Sequence, residues 1–200
     1  MAYIDDVVDE LLNALQGREN RNGEFCQVPV THSVSLNDIA VKIYSFRNSR
    51  NDHTVPEIND DFSRKLYATY LSFLPEDDFA RDLEMKTDAR GSFTEFLRFG
   101  GYGQVSVNVI KPGIVKGQHW HHTKNEKFLV VSGKGVIRFR EIHSDEVQEY
   151  FVSGDKLSSV DIPCGYTHNI ENIGDEDMVV LMWASECFDP DKPDTFYLEV

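Results

Sequence analysis

Four side chains with the chemistry of metal ligands lie in two short stretches of this chain. In Gly113-Ile-Val-Lys-Gly-Gln-His119-Trp-His121-His-Thr-Lys-Asn-Glu126, two histidines stand at i and i+2, and a carboxylate follows after four residues. Positions i and i+2 of an extended strand share one face. The gap to Glu126 suits a short turn, so the carboxylate can return beside the imidazoles from the next strand. A second stretch, Pro163-Cys-Gly165-Tyr-Thr-His168-Asn-Ile-Glu-Asn172, adds a fourth candidate, His168, delivered into a strand by a Pro/Gly turn. Imidazoles and one carboxylate converging on a point make a site for a divalent transition metal such as zinc, iron, manganese or nickel. His32, His53 and His143 have no such company and read as polar core or surface residues. Cys164 has no base visibly paired with it and reads as a small buried filler.

Strands have to carry these ligands, and from about residue 79 the chain has β texture. Strands are expected at 92–97, 104–110, 127–131, 136–140, 149–152, 157–162, 167–172 and 178–184, separated by Gly, Asp/Glu or Pro turns. Eight short strands at this spacing suggest a double-sheet jelly roll. Val105, Val107 and Val109 alternate with Ser106 and Asn108, the pattern of a sheet with one wet or cavity-facing side. The run from Met178 to Trp183 reads as a strand buried on both faces. Residues 1–77 read instead as an α-rich segment. Ile4, Val7, Val8, Leu11, Leu12 and Leu15 form a helical stripe over 4–15, with Gly17 as its stop. Residues 25–34, interrupted by Pro29, suggest an edge strand. Ser35 with Asp38 caps a helix carrying Leu36, Ile39, Ala40 and Ile43, expected to end near 47 before a polar stretch at 48–59. A third helix near 61–74 turns Phe62, Leu66, Tyr70 and Leu71 inward and stops at Pro75. The expected division is therefore a helical segment, 1–77, and a mainly β domain, 78–200.

Composition narrows the partners. A net charge of -14 argues against a nucleic-acid backbone as ligand. No apolar run approaches the length of a membrane span, and residues 1–20 lack the features of a signal peptide. Cys26, Cys164 and Cys187 are an odd, widely spaced set, which points to a reducing compartment and the cytoplasm.

The spacing Gly113, five residues, His119-x-His121, four residues, Glu126, six residues, Gly133 resembles the first motif of the cupin superfamily, and Pro163-x-Gly165-x-x-His168-x-x-x-Asn172 resembles most of the second. The Gly that opens the second motif is normally separated from its Pro by five residues. Here eight residues separate Gly154 from Pro163, which implies a longer hairpin. The resemblance implies a jelly roll whose metal is held by His119, His121, Glu126 and His168. Asp88-Ala-Arg90-Gly91-Ser-Phe93-Thr-Glu95 is similar to a strand of the dTDP-4-dehydrorhamnose 3,5-epimerases. In that family the Arg contacts the nucleotide diphosphate, sometimes from the neighbouring subunit, a task suited to a planar guanidinium. Lys116-Gly-Gln-His119 resembles the same family's Arg-Gly-x-His, whose His is a proton-abstracting base. A coordinated nitrogen has no lone pair for a proton, and with His121, Glu126 and His168 all present the ligand role is preferred for His119.

Tyr3-Ile-Asp-Asp-Val-Val followed by a helix looks like the substrate-side tail of extended short-chain dehydrogenase/reductases that act on nucleotide sugars. A Gly-rich dinucleotide turn and a Tyr-x-x-x-Lys relay are both absent, so no NAD(P) site is complete in these residues. Across nearly its whole length the chain resembles the bifunctional capsular polysaccharide enzymes of the UDP-N-acetyl-L-fucosamine pathway. These join an NADPH-dependent reductase to a C-terminal zinc cupin that epimerises carbon 3 of a UDP-4-keto-hexosamine. The resemblance implies zinc, a UDP-sugar substrate met by Arg90, Glu95 and Lys116, a homodimer, and a reductase domain as partner. His122, Lys124 and Tyr166 are close to the ligands in sequence and chemically able to carry the proton. Two other readings use the same ligand set: an iron cupin oxygenase, and a non-catalytic sugar-binding or dimerisation module.

Overall fold

The structure, a computed structural model, describes residues 1–200. The chain forms two compact units, one of Met1–Asn51 with Pro56–Ala80, the other of Asp52–Val55 with Arg81–Val200. No helix is long and apolar enough to cross a membrane.

The first unit contains α1 (Ile4–Leu15), the two-residue strands β1 (Arg21–Asn22) and β2 (Phe25–Cys26), α2 (Leu36–Asn51) and α3 (Asp61–Ser72). The apolar stripe of α1 is not its buried side. Ile4, Val8, Leu11, Leu12 and Leu15 are exposed, Leu15 by 84%. Glu10 is buried instead, accepting from Asn20 N at 2.5 Å and Asn20 Nδ2 at 2.6 Å. Helical spacing marks a face but not what covers it. The strand expected over 25–34 shrinks to a hairpin arm at Phe25–Cys26, and residues 27–34, with Pro29 lacking an N–H, join no ladder. Ser35 caps α2 as expected: Asp38 N donates to its Oγ at 3.1 Å, and the hydroxyl donates to Asp38 Oδ2 at 2.7 Å. This helix runs on to Asn51, because Asn48-Ser-Arg-Asn is polar but holds no Gly or Pro to stop it. It buries Phe46 and Ser49, while Leu36 and Ile43 of its apolar set are exposed. Asp60 caps α3, accepting from Ser63 N at 2.8 Å, and the Phe46 ring meets Tyr67 at 5.0 Å.

The second unit is all β apart from short turns: β3 (Met85–Asp88), β4 (Gly91–Arg98), β5 (Gln104–Ile110), β6 (Val115–Trp120), β7 (Glu126–Ser132), β8 (Lys134–Glu141), β9 (Val147–Ser153), β10 (Ser159–Ile162), β11 (Tyr166–Asn172), β12 (Met178–Ala184) and β13 (Phe196–Tyr197). They form a six-stranded sheet, β10-β7-β12-β5-β4-β3, and a five-stranded one, β13-β6-β11-β8-β9, each antiparallel. This is the expected double-sheet jelly roll. All eight expected strands occur; β3, β6 and β13 were not counted among them, because β3 is polar and exposed, β6 is broken by Gly117, and β13 is two residues long. The longer hairpin expected around Gly154 is not a hairpin: β9 pairs with β8 and β10 with β7, so 154–158 crosses from one sheet to the other.

Between the sheets lie Ile110, Phe128, Val130, Ile137, Phe139, Val152, Ile162, Ile170, Met178 and Val180. The inward face of β5 runs from Ile110 through Asn108 and Ser106 to Gln104, all buried. The interior thus changes from apolar to polar toward the end of the sheet where Glu126 begins β7. That gradient prepares a polar wall beside the ligands.

Candidate metal centre

His119 and His168 stand directly opposite each other on β6 and β11 because of a register shift. His168 pairs with His119, but Asn169 pairs with Gly117, leaving Gln118 as an extra residue. In an unbroken ladder Gln118 would face His168, and both His119 and His121 would point away; the bulge turns them in. Gly117 makes it feasible. It adopts φ +105°, and a Cβ there would lie 2.7 Å from His168 O and 2.9 Å from Asn169 Cα. Gln118 also adopts a positive φ, 65°, and is tethered by Leu198 N, which donates to its carbonyl at 3.0 Å, and Val200 N, which donates to its Oε1 at 2.9 Å.

Glu126 enters from the other sheet at the start of β7. The ligand atoms of His119, His121, Glu126 and His168 all lie within 4.8 Å of one another. Two donors to one cation at bond lengths near 2.0–2.2 Å lie no more than about 4.4 Å apart, so the set needs only slight closure. His121 and His168 are each 1% exposed. Glu126 Oε2 lies 3.2 Å from His168 Nε2 and 3.4 Å from His121 Nε2. These three atoms are buried without a hydrogen-bond partner, a costly state in a native interior. His121 Nδ1 lies 2.6 Å from the carbonyl oxygen of Asp194. A carbonyl only accepts, so Nδ1 carries the hydrogen and Nε2 of the neutral ring turns its lone pair to the cluster. Burial, reinforced by His168, pushes the His119 pKa down to about 4, so this ring is neutral, as a ligand must be. Burial alone would raise the Glu126 carboxyl, but the neighbouring His121 and His168 rings hold it well below the usual carboxylate range. A divalent cation fits this set of one carboxylate and unpartnered ring nitrogens by giving those buried atoms the partner they lack.

The turn between His121 and Glu126 is pinned from both sides. Gly165 N donates to His121 O at 3.1 Å; Asn125 N donates to Ser185 Oγ at 3.0 Å and Ser185 N to Asn125 O at 2.9 Å. The Asp194 carboxylate accepts from the backbone N–H groups of His122, Thr123 and Lys124. Burial would raise its pKa, but these donors hold it well below its ordinary value.

The remaining candidates are dispersed. Tyr166 shares the inward face of β11 with His168 and packs on the core. Lys124 is buried, and its Nζ donates to Pro193 O at 3.2 Å and Thr195 Oγ1 at 3.0 Å. His122 is exposed, its ring 4.6 Å from Trp120 and 4.7 Å from Phe196, on the opposite side of the strand from His121. Glu95 shares the inward face with Ser106 and receives Arg98 Nε at 2.6 Å. Arg90 is not brought to the cluster within one chain. Glu126 aligns with Ala184, Gln104 and Arg98 across the six-stranded sheet, whereas Arg90 precedes Gly91 at the other end of β4, roughly 20–25 Å along the strand. Its guanidinium pairs with Asp88 Oδ2 at 2.6 Å. Lys116 lies near that end, with Nζ 3.3 Å from Ser92 O and 3.2 Å from Val109 O, and burial lowers its pKa. The Cys164 thiol faces Lys124 O and Asn125 Oδ1, and burial pushes its pKa up, the state of an inert thiol. Sequence reasoning missed Gln118 and Asp194; a loop rich in Asp and Pro carries no local sign that it will fold back onto a ligand.

The profile of the polysaccharide biosynthesis C-terminal domain family matches residues 86–196. UDP-2-acetamido-2,6-beta-L-arabino-hexul-4-ose reductase of Pseudomonas aeruginosa is 41% identical over all 200 residues of this chain, which cover 54% of that protein. The spore coat polysaccharide biosynthesis protein SpsL of Bacillus subtilis is 23% identical over 57% of this chain and 82% of its own length. Among solved structures, the capsular polysaccharide assembling protein CapF from Staphylococcus aureus superposes with a TM-score of 0.93 at 57% identity, over all of this chain and 54% of that one. The chain thus spans about half the length of its reductase and CapF relatives. With its matched profile, its cupin jelly roll and its close likeness to CapF, the chain belongs to the polysaccharide biosynthesis C-terminal domain family.

Proposed function

We propose that this chain is a metal-dependent nucleotide-sugar epimerase that inverts carbon 3 of a UDP-4-keto-6-deoxy-hexosamine during synthesis of a capsular or surface polysaccharide precursor. The observation that carries the proposal is the convergence of His119, His121, Glu126 and His168, with three buried atoms lacking any partner. The names of the reductase and CapF relatives support a nucleotide sugar in capsule synthesis as the setting. The proposed cation is zinc, held by these four residues; when bound it acts as a Lewis acid on the ketone oxygen and eases loss of the adjacent C–H proton.

The remaining chemistry belongs to the chain. Epimerisation moves the C3 proton to a base, leaves its electron pair in an enolate, and returns a proton to the opposite face. Tyr166, on the same strand face as His168, is the best-placed proton carrier of the three candidates. Lys124 reaches the reaction only by leaving its bonds to Pro193 and Thr195, and His122 is packed away from the cluster. Gln104 and Ser106 supply polar groups on the interior wall, and Glu95 borders it. Arg90 lies at the far end of the six-stranded sheet and the Lys116 Nζ is turned toward that end, so contact of a diphosphate with Arg90 requires the neighbouring subunit of a homodimer. The hydride step of the reductase relatives is assigned to residues outside this chain, in a reductase domain that uses NADPH. Three free cysteines support a reducing compartment, the cytoplasm.

The test is proton exchange in deuterated water, followed by NMR of the UDP-4-keto sugar, without NADPH. Deuterium should enter at carbon 3 with wild type and be lost with His121→Ala and with metal-stripped protein. Binding without exchange would refute the epimerase reading and leave a sugar-binding module.

A further inference from the structure

The segment after β12 returns along the edge of β6, where Phe196 pairs with Trp120 and Tyr197 with His119. Its contacts fall on residues that flank the candidate ligands. Leu198 N and Val200 N hold Gln118, next to His119. The Asp194 carboxylate accepts from His122 N at 3.0 Å, Thr123 N at 2.9 Å and Lys124 N at 2.9 Å, within the turn that joins His121 to Glu126. Thr123 Oγ1 adds a fourth donor at 3.2 Å. Thr167, next to His168, donates through its hydroxyl to Leu198 O. The most direct contact is the Asp194 carbonyl on His121 Nδ1 at 2.6 Å.

We propose that Asp194 is a positioning residue of the metal centre: its carboxylate clamps the 122–124 turn so that its own carbonyl fixes His121 with Nε2 facing the other ligands. The inference rests on the metal reading given above. Two features separate this arrangement from ordinary packing. Asp194 adopts φ +39°, a conformation that non-glycine residues seldom take. The clamp of four donors on one carboxylate holds that strained residue in place, and the product of the strain is a carbonyl aimed at a ring nitrogen. Partners of this kind set the tautomer and orientation of ligating histidines and tune affinity for the cation. The clamp also couples His121 to Glu126, because it holds the turn between them.

Two substitutions separate the parts. Asp194→Gly keeps the backbone carbonyl and suits the positive φ, but removes the clamp. Asp194→Asn keeps a side-chain oxygen without the charge. Zinc dissociation constants are measured on the full chain by competition with a chromophoric chelator. The His121 tautomer is read from ring 15N shifts of the metal-free protein. Asp194→Gly should weaken zinc by about 10- to 100-fold, Asp194→Asn by less, and the His121 ring of the glycine variant should become a mixture of tautomers. Zinc affinity within twofold of wild type and an unchanged tautomer would overturn the inference, and a lowered melting temperature with both unchanged would assign Asp194 a merely structural role. If the glycine variant does not fold, the asparagine variant decides by the same two readouts. Failure of wild type to bind zinc would refute the metal reading instead, and the tautomer measurement would still decide whether Asp194 orients His121.

Discussion

Replacing Gly117 by alanine tests the bulge on which the whole centre depends. An alanine at φ +105° occupies a backbone region that costs about 1–3 kcal/mol. Its Cβ would also sit 2.7 Å from His168 O and 2.9 Å from Asn169 Cα, both backbone atoms of the neighbouring strand. Relief requires β6 and β11 to part, a further penalty of about 1–3 kcal/mol by analogy with overpacking. The sum, roughly 2–6 kcal/mol, should appear as a fall of about 5–20 °C in the unfolding midpoint. Zinc affinity should fall with it, because the strained pairing is the one that sets His119 against His168. Gln118→Gly is the matched control. It removes a positive φ of 65° from a side-chain-bearing residue, worth about 1 kcal/mol, and loses one hydrogen bond from Val200 N, worth about the same. Its stability should therefore stay near wild type. Thermal unfolding and chelator competition on both variants give the answer. A Gly117→Ala protein within 0.5 kcal/mol of wild type, by the usual spread for a neutral surface change, and with unchanged zinc affinity would refute the role given to the bulge.

Other expectations follow from the same geometry. Tyr166→Phe should leave zinc affinity unchanged and reduce carbon-3 exchange by about 10²-fold or more, the usual share of a general acid or base, whereas His122→Ala should exchange at nearly the wild-type rate; equal rates for wild type and Tyr166→Phe would remove the tyrosine from the chemistry. In metal-free protein, His119 titrates near 4 when folded and near 6.5 when unfolded. The unfolded chain binds the extra proton between those values, so stability should fall as pH drops from about 6.5 to 4, by at most about 3 kcal/mol. His119→Gln should flatten that dependence in urea titrations. Asn172 is 0% exposed and donates to Ile110 O and Glu176 O, both at 2.8 Å, while accepting from Gly174 N at 2.9 Å. Its replacement by alanine leaves three groups without that partner and should cost about 2–4 kcal/mol in denaturant unfolding. Cys164→Ala should keep both zinc affinity and exchange, and loss of either would reinstate the thiol as a functional group.

The candidate ligand cluster was legible in the sequence because its spacing is local. The i, i+2 histidines and the turn length to Glu126 fix a shared face within a few residues, and the Pro163/Gly165 turn does the same for His168. The strands between the two sheets were legible for a similar reason, since alternation such as Val105 to Val109 is a short-range signal. What failed is long-range. The apolar stripe of α1 is legible as a helical face, yet a stripe does not name its cover, and here it is the exposed side. The bulge at Gln118 reverses the face that strict alternation assigns, and its trace in sequence is Gly117 alone. The distance of Arg90 from Glu126 follows from strand order across four strands, which no local pattern records. Asp194 belongs to the same class: it acts through contacts seventy residues back in the chain that only the closed fold reveals.

X-ray absorption at the zinc edge of the loaded protein reads the ligand set itself. It should show one zinc per chain with only nitrogen and oxygen neighbours and scattering from three imidazoles, losing one imidazole in His168→Ala. A sulfur neighbour, fewer than three imidazoles in wild type, or a spectrum unchanged by His168→Ala would contradict that ligand set.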